Sequence, residues 1–89
     1  MEPEFTPTFQ MSSRDLNHAA IAKAAGFPVE AVRQAASRRC VFYFPDTPEI
    51  RSLLDRYERR EVLPLPAKDL LSAKTHLYHE AARALREAL

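Results

Sequence analysis

Gly26 is the only glycine in 89 residues. It stands between an alanine-rich stretch, Leu16 to Ala25, and the run Phe27-Pro28-Val29-Glu30-Ala31-Val32-Arg33. A glycine after a helical stretch is the residue best able to take the left-handed conformation that ends a helix. What the backbone does next divides two folds. If Val29 to Ala36 is a second helix, the segment is a helix-turn-helix. If it is a strand, it pairs with Cys40-Val41-Phe42-Tyr43-Phe44.

Residues 40–44 decide the matter. That string is β-branched and aromatic, too short for a stable helix, and stopped by Pro45. A lone strand leaves its ladder groups unpaired, so it needs a partner, and within this chain only the segment 27–36 is expected to be able to supply it. Helix propensity in Glu-Ala-Val-Arg-Gln-Ala-Ala pulls the other way. The strand requirement outweighs it, and the expectation is a β-hairpin.

The other elements follow from their punctuation. Ser12 or Ser13 is expected to open the first helix, with Asp15 completing a weak capping box and Gly26 following its end. Thr47 caps a second helix with Pro48 at its first position, and Ile50, Leu53, Leu54 and Tyr57 form its apolar stripe. Arg51 with Asp55, and Asp55 with Arg59, are spaced for helical ion pairs. Val62-Leu63-Pro64-Leu65-Pro66 reads as an extended linker. A third helix begins near Pro66, where Leu70, Leu77 and Ala84, and also Leu71, Tyr78 and Leu85, recur by sevens.

The expected fold is a small single α+β domain, α-β-β-α-α, with one two-stranded antiparallel hairpin. Helices one and two cover one face of the hairpin, and the long third helix closes the core. Residues 1–10 are expected to be a flexible arm, 11–78 the core domain, and 79–89 a C-terminal helical extension.

Composition narrows the function classes. The net charge of +1 creates no global field for nucleic acid or an acidic membrane, so such a role would need a local patch. One cysteine, Cys40, excludes an internal disulfide and points to a reducing, cytoplasmic setting. The opening MEPEFTPTF lacks the pattern of a signal peptide, and no apolar run reaches the ~20 residues of a membrane span.

The order and spacing of several short motifs carry a resemblance. They are Met11-Ser12-Ser13-Arg14-Asp15-Leu16, Ala19-Ala20, Gly26-Phe27, Arg38-Arg39 before Val41-Phe42-Tyr43-Phe44, Asp46-Thr47-Pro48-Glu49-Ile50, Leu54 through Tyr57, and Lys74-Thr75-His76-Leu77-Tyr78. Together they resemble a short domain-of-unknown-function family met in bacterial, archaeal and phage or plasmid genomes. The chain departs from that pattern in having Met11 where the family usually has an aromatic. It also lacks the family's glycine after helix two, and has Leu65 where the family has an aspartate. The resemblance implies a helix, a hairpin and two further helices, in an accessory gene of mobile-element or phage type. It implies no activity, so no catalytic residues carry over.

Four constellations compete for function. Arg33, Arg38 and Arg39 form the best basic patch, and Tyr43 is a stacking surface, so the hairpin end is the expected contact for DNA or RNA. The bland alternative is a solvated turn whose arginines discourage edge pairing. As a helix-turn-helix, Pro28, Val29, Glu30 and Arg33 would face the major groove, with few donors for base edges. His76 and His79 on the third helix, with His18 and Cys40, are the only set with the ligand types of a zinc site; two histidines on a polar face are ordinarily just polar residues, and no metal or cofactor is expected. Ser12, Ser13, Asp15 and His18 offer the residue types of a nucleophile and base, but capping accounts for the serines and Asp15, nothing builds an oxyanion hole, and no catalytic residues are assigned.

The expected role is therefore a small non-enzymatic accessory or regulatory protein that contacts nucleic acid through its arginine-bearing hairpin end. From another class comes a protein-interaction module that docks or homodimerises through Tyr78, Leu85 and Leu89. No membrane and no small-molecule substrate is expected.

Overall fold

The computed structural model describes residues 9–34 and 39–87, in the order β1 (Met11–Ser13), α1 (Leu16–Ala24), β2 (Glu30–Arg33), β3 (Cys40–Phe44), α2 (Pro48–Glu58) and α3 (Ala67–Glu87). The class is α+β, as expected. Arg38, Leu89 and nearly all of the arm lie outside the described residues.

Gly26 works as the sequence requires. Its φ is +97°, and the Phe27 amide donates to the Ala22 carbonyl at 3.1 Å while the Gly26 amide donates to Lys23 at 2.9 Å. This is a Schellman end, in which the left-handed residue lets the chain close the last carbonyls and turn away. The chain leaves extended, and Glu30, Ala31, Val32 and Arg33 pair antiparallel with Tyr43, Phe42, Val41 and Cys40 respectively. The expected hairpin is present. The segment that a helix-turn-helix needs as its second helix is strand β2, so that alternative has no recognition helix.

Three expectations need correction. The first helix does not start at Ser12 or Ser13. Met11, Ser12 and Ser13 pair with Phe44, Tyr43 and Phe42, which makes a three-stranded sheet in the order β1-β3-β2 instead of a two-stranded hairpin. The central strand β3 has two edges to satisfy, and the hairpin meets only one of them. Capping of α1 falls to Asp15, whose carboxylate accepts the Asn17 amide at 2.8 Å. Finally, α2 does not cover the sheet. It rests against α1, while α1 and α3 both pack on the sheet.

Register fixes the two faces of the sheet. Met11, Ser13, Ala31, Arg33, Cys40, Phe42 and Phe44 share the parity that faces the helices, and Phe42 and Phe44 are buried there. They meet Ala19, Ala20 and Ala22 of α1, Ile50 of α2, and Ala73 and Leu77 of α3 in one core. Four consecutive residues of α1, Ala19 to Ala22, are buried. Consecutive burial means that the helix is covered all round, and alanine is what lets neighbours approach so closely.

Helix α2 begins as its sequence says. Thr47 Oγ1 accepts the Ile50 amide at 3.1 Å, with Pro48 in the first turn. Of its expected ion pairs, Arg59–Asp55 forms at 3.0 Å. Arg51 turns back to hold Asp46 with two nitrogens, at 2.5 and 2.6 Å. The helix ends in a second Schellman motif, with Arg60 at φ 62° in the left-handed position. Helix α3 runs unbroken past Tyr78, and Ala81 still packs against the core.

Candidate functional site

At about 100° per residue, the apolar side chains of α3 form one band roughly half the circumference wide. One half of the band is Leu70, Ala73, Leu77, Ala81 and Ala84. It faces inward, with Ala73 and Leu77 buried. The other half is Leu71, Tyr78, Ala82 and Leu85, with Lys74 and Thr75 among them. Leu71 is 66% exposed and Tyr78 63% exposed, while Ala82 and Leu85 are half-buried. Asp69, Ser72, His76, His79, Glu80, Arg83 and Arg86 make up the opposite, polar side.

This uncovered half is not flat. Where α3 crosses α1 a groove of about 240 Å³ opens, walled by Ile21, Leu63, Leu70 and Leu71. Its polar corner is built by Asn17, whose amide donates to the Tyr57 hydroxyl at 3.0 Å. A second groove of about 240 Å³ lies further along, between Leu16 and Tyr78. Lys74 borders both and is the one charged side chain among the residues lining either. Val62, 88% exposed, precedes the groove residue Leu63. Among the described residues, two of the large exposed apolar side chains, Leu71 and Tyr78, therefore line this one surface. Isolated exposed apolar residues mean little; a cluster beside a groove marks a contact surface.

The basic patch is placed differently from the sequence expectation. Arg33 pairs with Cys40 on the helix-facing side of the sheet, whereas Tyr43 has the opposite parity. Arg33 and Tyr43 are therefore not on one surface. Arg39 shares Tyr43's parity, and its carbonyl accepts the Gln34 amide at 2.8 Å, which extends the ladder by one step. Directly across from Tyr43 lies Glu30, whose Oε1 is buried with no hydrogen-bond partner among the described residues. A carboxylate beside the stacking ring opposes phosphate binding there.

Ser13, His18 and Glu58 converge in a way the sequence did not disclose. Ser13 Oγ lies 2.9 Å from His18 Nδ1, and His18 Nε2 lies 2.8 Å from Glu58 Oε2. A carboxylate accepts only, so Nε2 carries the proton, and in the neutral ring Nδ1 accepts from the serine hydroxyl. The order hydroxyl, imidazole, carboxylate is that of an activated nucleophile. Ser13 Oγ also accepts the Asp15 amide at 3.0 Å, and neither groove is lined by Ser13 or His18. The set joins β1, α1 and the end of α2, with the Tyr57 ring edge-on to His18. Glu58 is forty residues from His18, so no local spacing could have announced the pair.

The remaining candidates stay apart. His76 reaches Glu80 at 3.8 Å, and His79 lies against Tyr78. Among the described residues, no three His, Cys, Asp or Glu side chains gather as metal ligands would. The Cys40 thiol is half-buried and reaches the Ala81 carbonyl at 3.5 Å. Burial pushes its pKa up, with the Arg33 charge opposing, which is the reverse of an activated thiol. No helix among the described residues is long and apolar enough to cross a membrane. Comparison with known protein families, with curated proteins and with solved structures returns no match.

Proposed function

We propose that this protein is a non-enzymatic docking module that uses the uncovered half of α3 and the adjoining α1 groove to bind another protein. One observation carries the reading: Leu71 and Tyr78 stand exposed one helical heptad apart, each beside an apolar groove bordered by Lys74. An amphipathic helix laid along such a surface sets its apolar side chains into the grooves. An accessory gene of mobile-element or phage type, the setting that the resemblance implies, suits such a module. The test places a photo-crosslinking amino acid at position 71 or, as a control on the polar side, at position 83, in the cells that make the protein. A protein adduct from 71 and none from 83 is expected. Equal adducts from both positions, or none from 71, would overturn the docking surface.

Contact with nucleic acid is the second reading. It is favoured by Arg39 and Tyr43 sharing one face of the sheet, with Arg38 next in sequence, and stands second because Glu30 faces Tyr43. It predicts retardation of DNA or RNA that weakens steeply with salt and disappears in the double variant Arg38→Glu, Arg39→Glu.

A further inference from the structure

Resting on the docking reading, we infer that the protein laid along α3 is a second copy of this chain, its α3 antiparallel to the first, with the two-fold axis at Tyr78.

The stripe, exposed at Leu71 and Tyr78 and half-buried at Ala82 and Leu85, is complementary to itself in that arrangement, whereas a parallel pair would set the two Lys74 side chains level with each other. Leu71 and Leu85 stand seven residues either side of Tyr78. A two-fold axis at Tyr78 sets residue 78 + k of one copy level with 78 − k of the other. Leu85 of the second copy then lies level with Leu71, at the mouth of the groove beside α1, where Ile21, Leu63 and Leu70 form the apolar walls. Tyr78 meets its own mate beside Leu16 and Thr75, in the second groove. The small Ala82 falls opposite Lys74, the only charged side chain on the stripe, and leaves room for its stem. The two Lys74 residues lie four positions on opposite sides of the axis. That puts them about 12 Å apart along the helices, beyond the Debye length of ~8 Å at physiological salt. No acidic side chain on the stripe would be buried without a partner, and the opposed helix dipoles favour the antiparallel order.

Size sets the strength. A 21-residue helix is about 31 Å long, and helices are about 10 Å wide, so the facing strip is smaller than the ~800 Å² per partner of a standard stable interface. The dimer should be weak and should exchange readily.

Analytical ultracentrifugation of the full chain from about 5 to 500 µM tests this, with thermal unfolding as a check that variants stay folded. A mass rising towards twice the monomer is expected, and Tyr78→Asp or Leu71→Asp should weaken association at least tenfold. Both side chains are largely exposed, so both variants should retain their unfolding midpoints. In a Cys40→Ser background, Tyr78→Cys should oxidise to a linked dimer and Arg83→Cys should not. A mixture of Leu71→Cys and Leu85→Cys proteins should give the mixed disulfide in preference to either like pair. A monomer across the whole range overturns the inference, as does a dimer indifferent to Tyr78→Asp. The photo-crosslink at position 71 separates the two failures. A monomer whose position 71 still captures a different protein sinks the second copy alone, whereas a monomer with no adduct sinks the docking surface as well.

Discussion

Helices α1 and α3 cross each other against the same sheet, yet the chain equips them in opposite ways. Helix α1 uses alanine with one isoleucine where it is covered, and four of its consecutive residues are buried. It sits between the sheet, α2 and α3, so small side chains are what the space allows. Helix α3 is covered from one side, by α1 and the sheet, yet carries large apolar side chains on the other side as well. The buried helix is apolar because the fold demands it. The peripheral one exceeds what the fold demands, and function is to be sought in that excess.

The largest effect should come from testing the two halves of the α3 band with the same change. Leu77 is 1% exposed and Leu71 66%. Leu77→Ala removes apolar burial and leaves a cavity in the core, so it should cost about 2–5 kcal/mol in urea unfolding at low protein concentration. Leu71→Ala should stay within about 0.5 kcal/mol there. Similar losses for both would mean that Leu71 is part of the monomer's core, and the uncovered half would cease to be a surface.

The sequence makes this division only partly legible. Two seven-residue series are visible in α3, but nothing in their spacing says which one the sheet will take. Leu70, Leu77 and Ala84 face inward because β2 and α1 approach from that side, a tertiary fact. The hairpin and Gly26 were readable because Cys40 to Phe44 allows no alternative to a strand and glycine marks the helix end. Strand β1 was not, because three residues are too few to show alternation, and two serines before Asp15 look like caps. Met11 and Ser13 point inward only because β3 needs a second edge partner. For the hairpin arginines, alternation along β2 was legible in principle. Once Val32 pairs with Val41, Arg33 must share a face with Cys40 and cannot share one with Tyr43.

The two Schellman ends offer a sharper, smaller test. Helix α1 ends with Gly26 at φ +97° and α2 with Arg60 at φ 62°, the same motif with and without a side chain. No atom lies near a Cβ built at Gly26, so the penalty for a substitution there comes from backbone conformation alone. Gly26→Ala should therefore lose about 1–2 kcal/mol. Arg60→Gly should gain up to about 1 kcal/mol, reduced by the greater freedom glycine gives the unfolded chain. Thermal unfolding of both variants reads the opposite signs directly. If Arg60→Gly is destabilising, the Arg60 side chain makes a contribution that the turn geometry does not reveal.

The smallest effect concerns α2, which packs on α1, places Ile50 in the core and is tied to the loop after β3. Asp46, in that loop, receives two hydrogen bonds from Arg51, and these hold its carboxyl below the usual aspartate value; partial desolvation opposes the shift, and the Arg51 charge adds to it. A carboxyl lowered in the folded state stabilises the fold above its unfolded pKa and loses that contribution as pH falls through the folded one. The stabilisation should thus be present at neutral pH and fade below the ordinary carboxylate range. The pair lies at the surface, where water screens it, so the change should be slight and should shrink further in molar salt. Asp46→Asn should lower the unfolding midpoint a little at pH 7 and not at all in strong acid. A difference that persists unchanged into acid would mean that Asp46 acts through loop geometry and not through its charge, and α2 would then be fixed by its connection to β3 as much as by packing on α1.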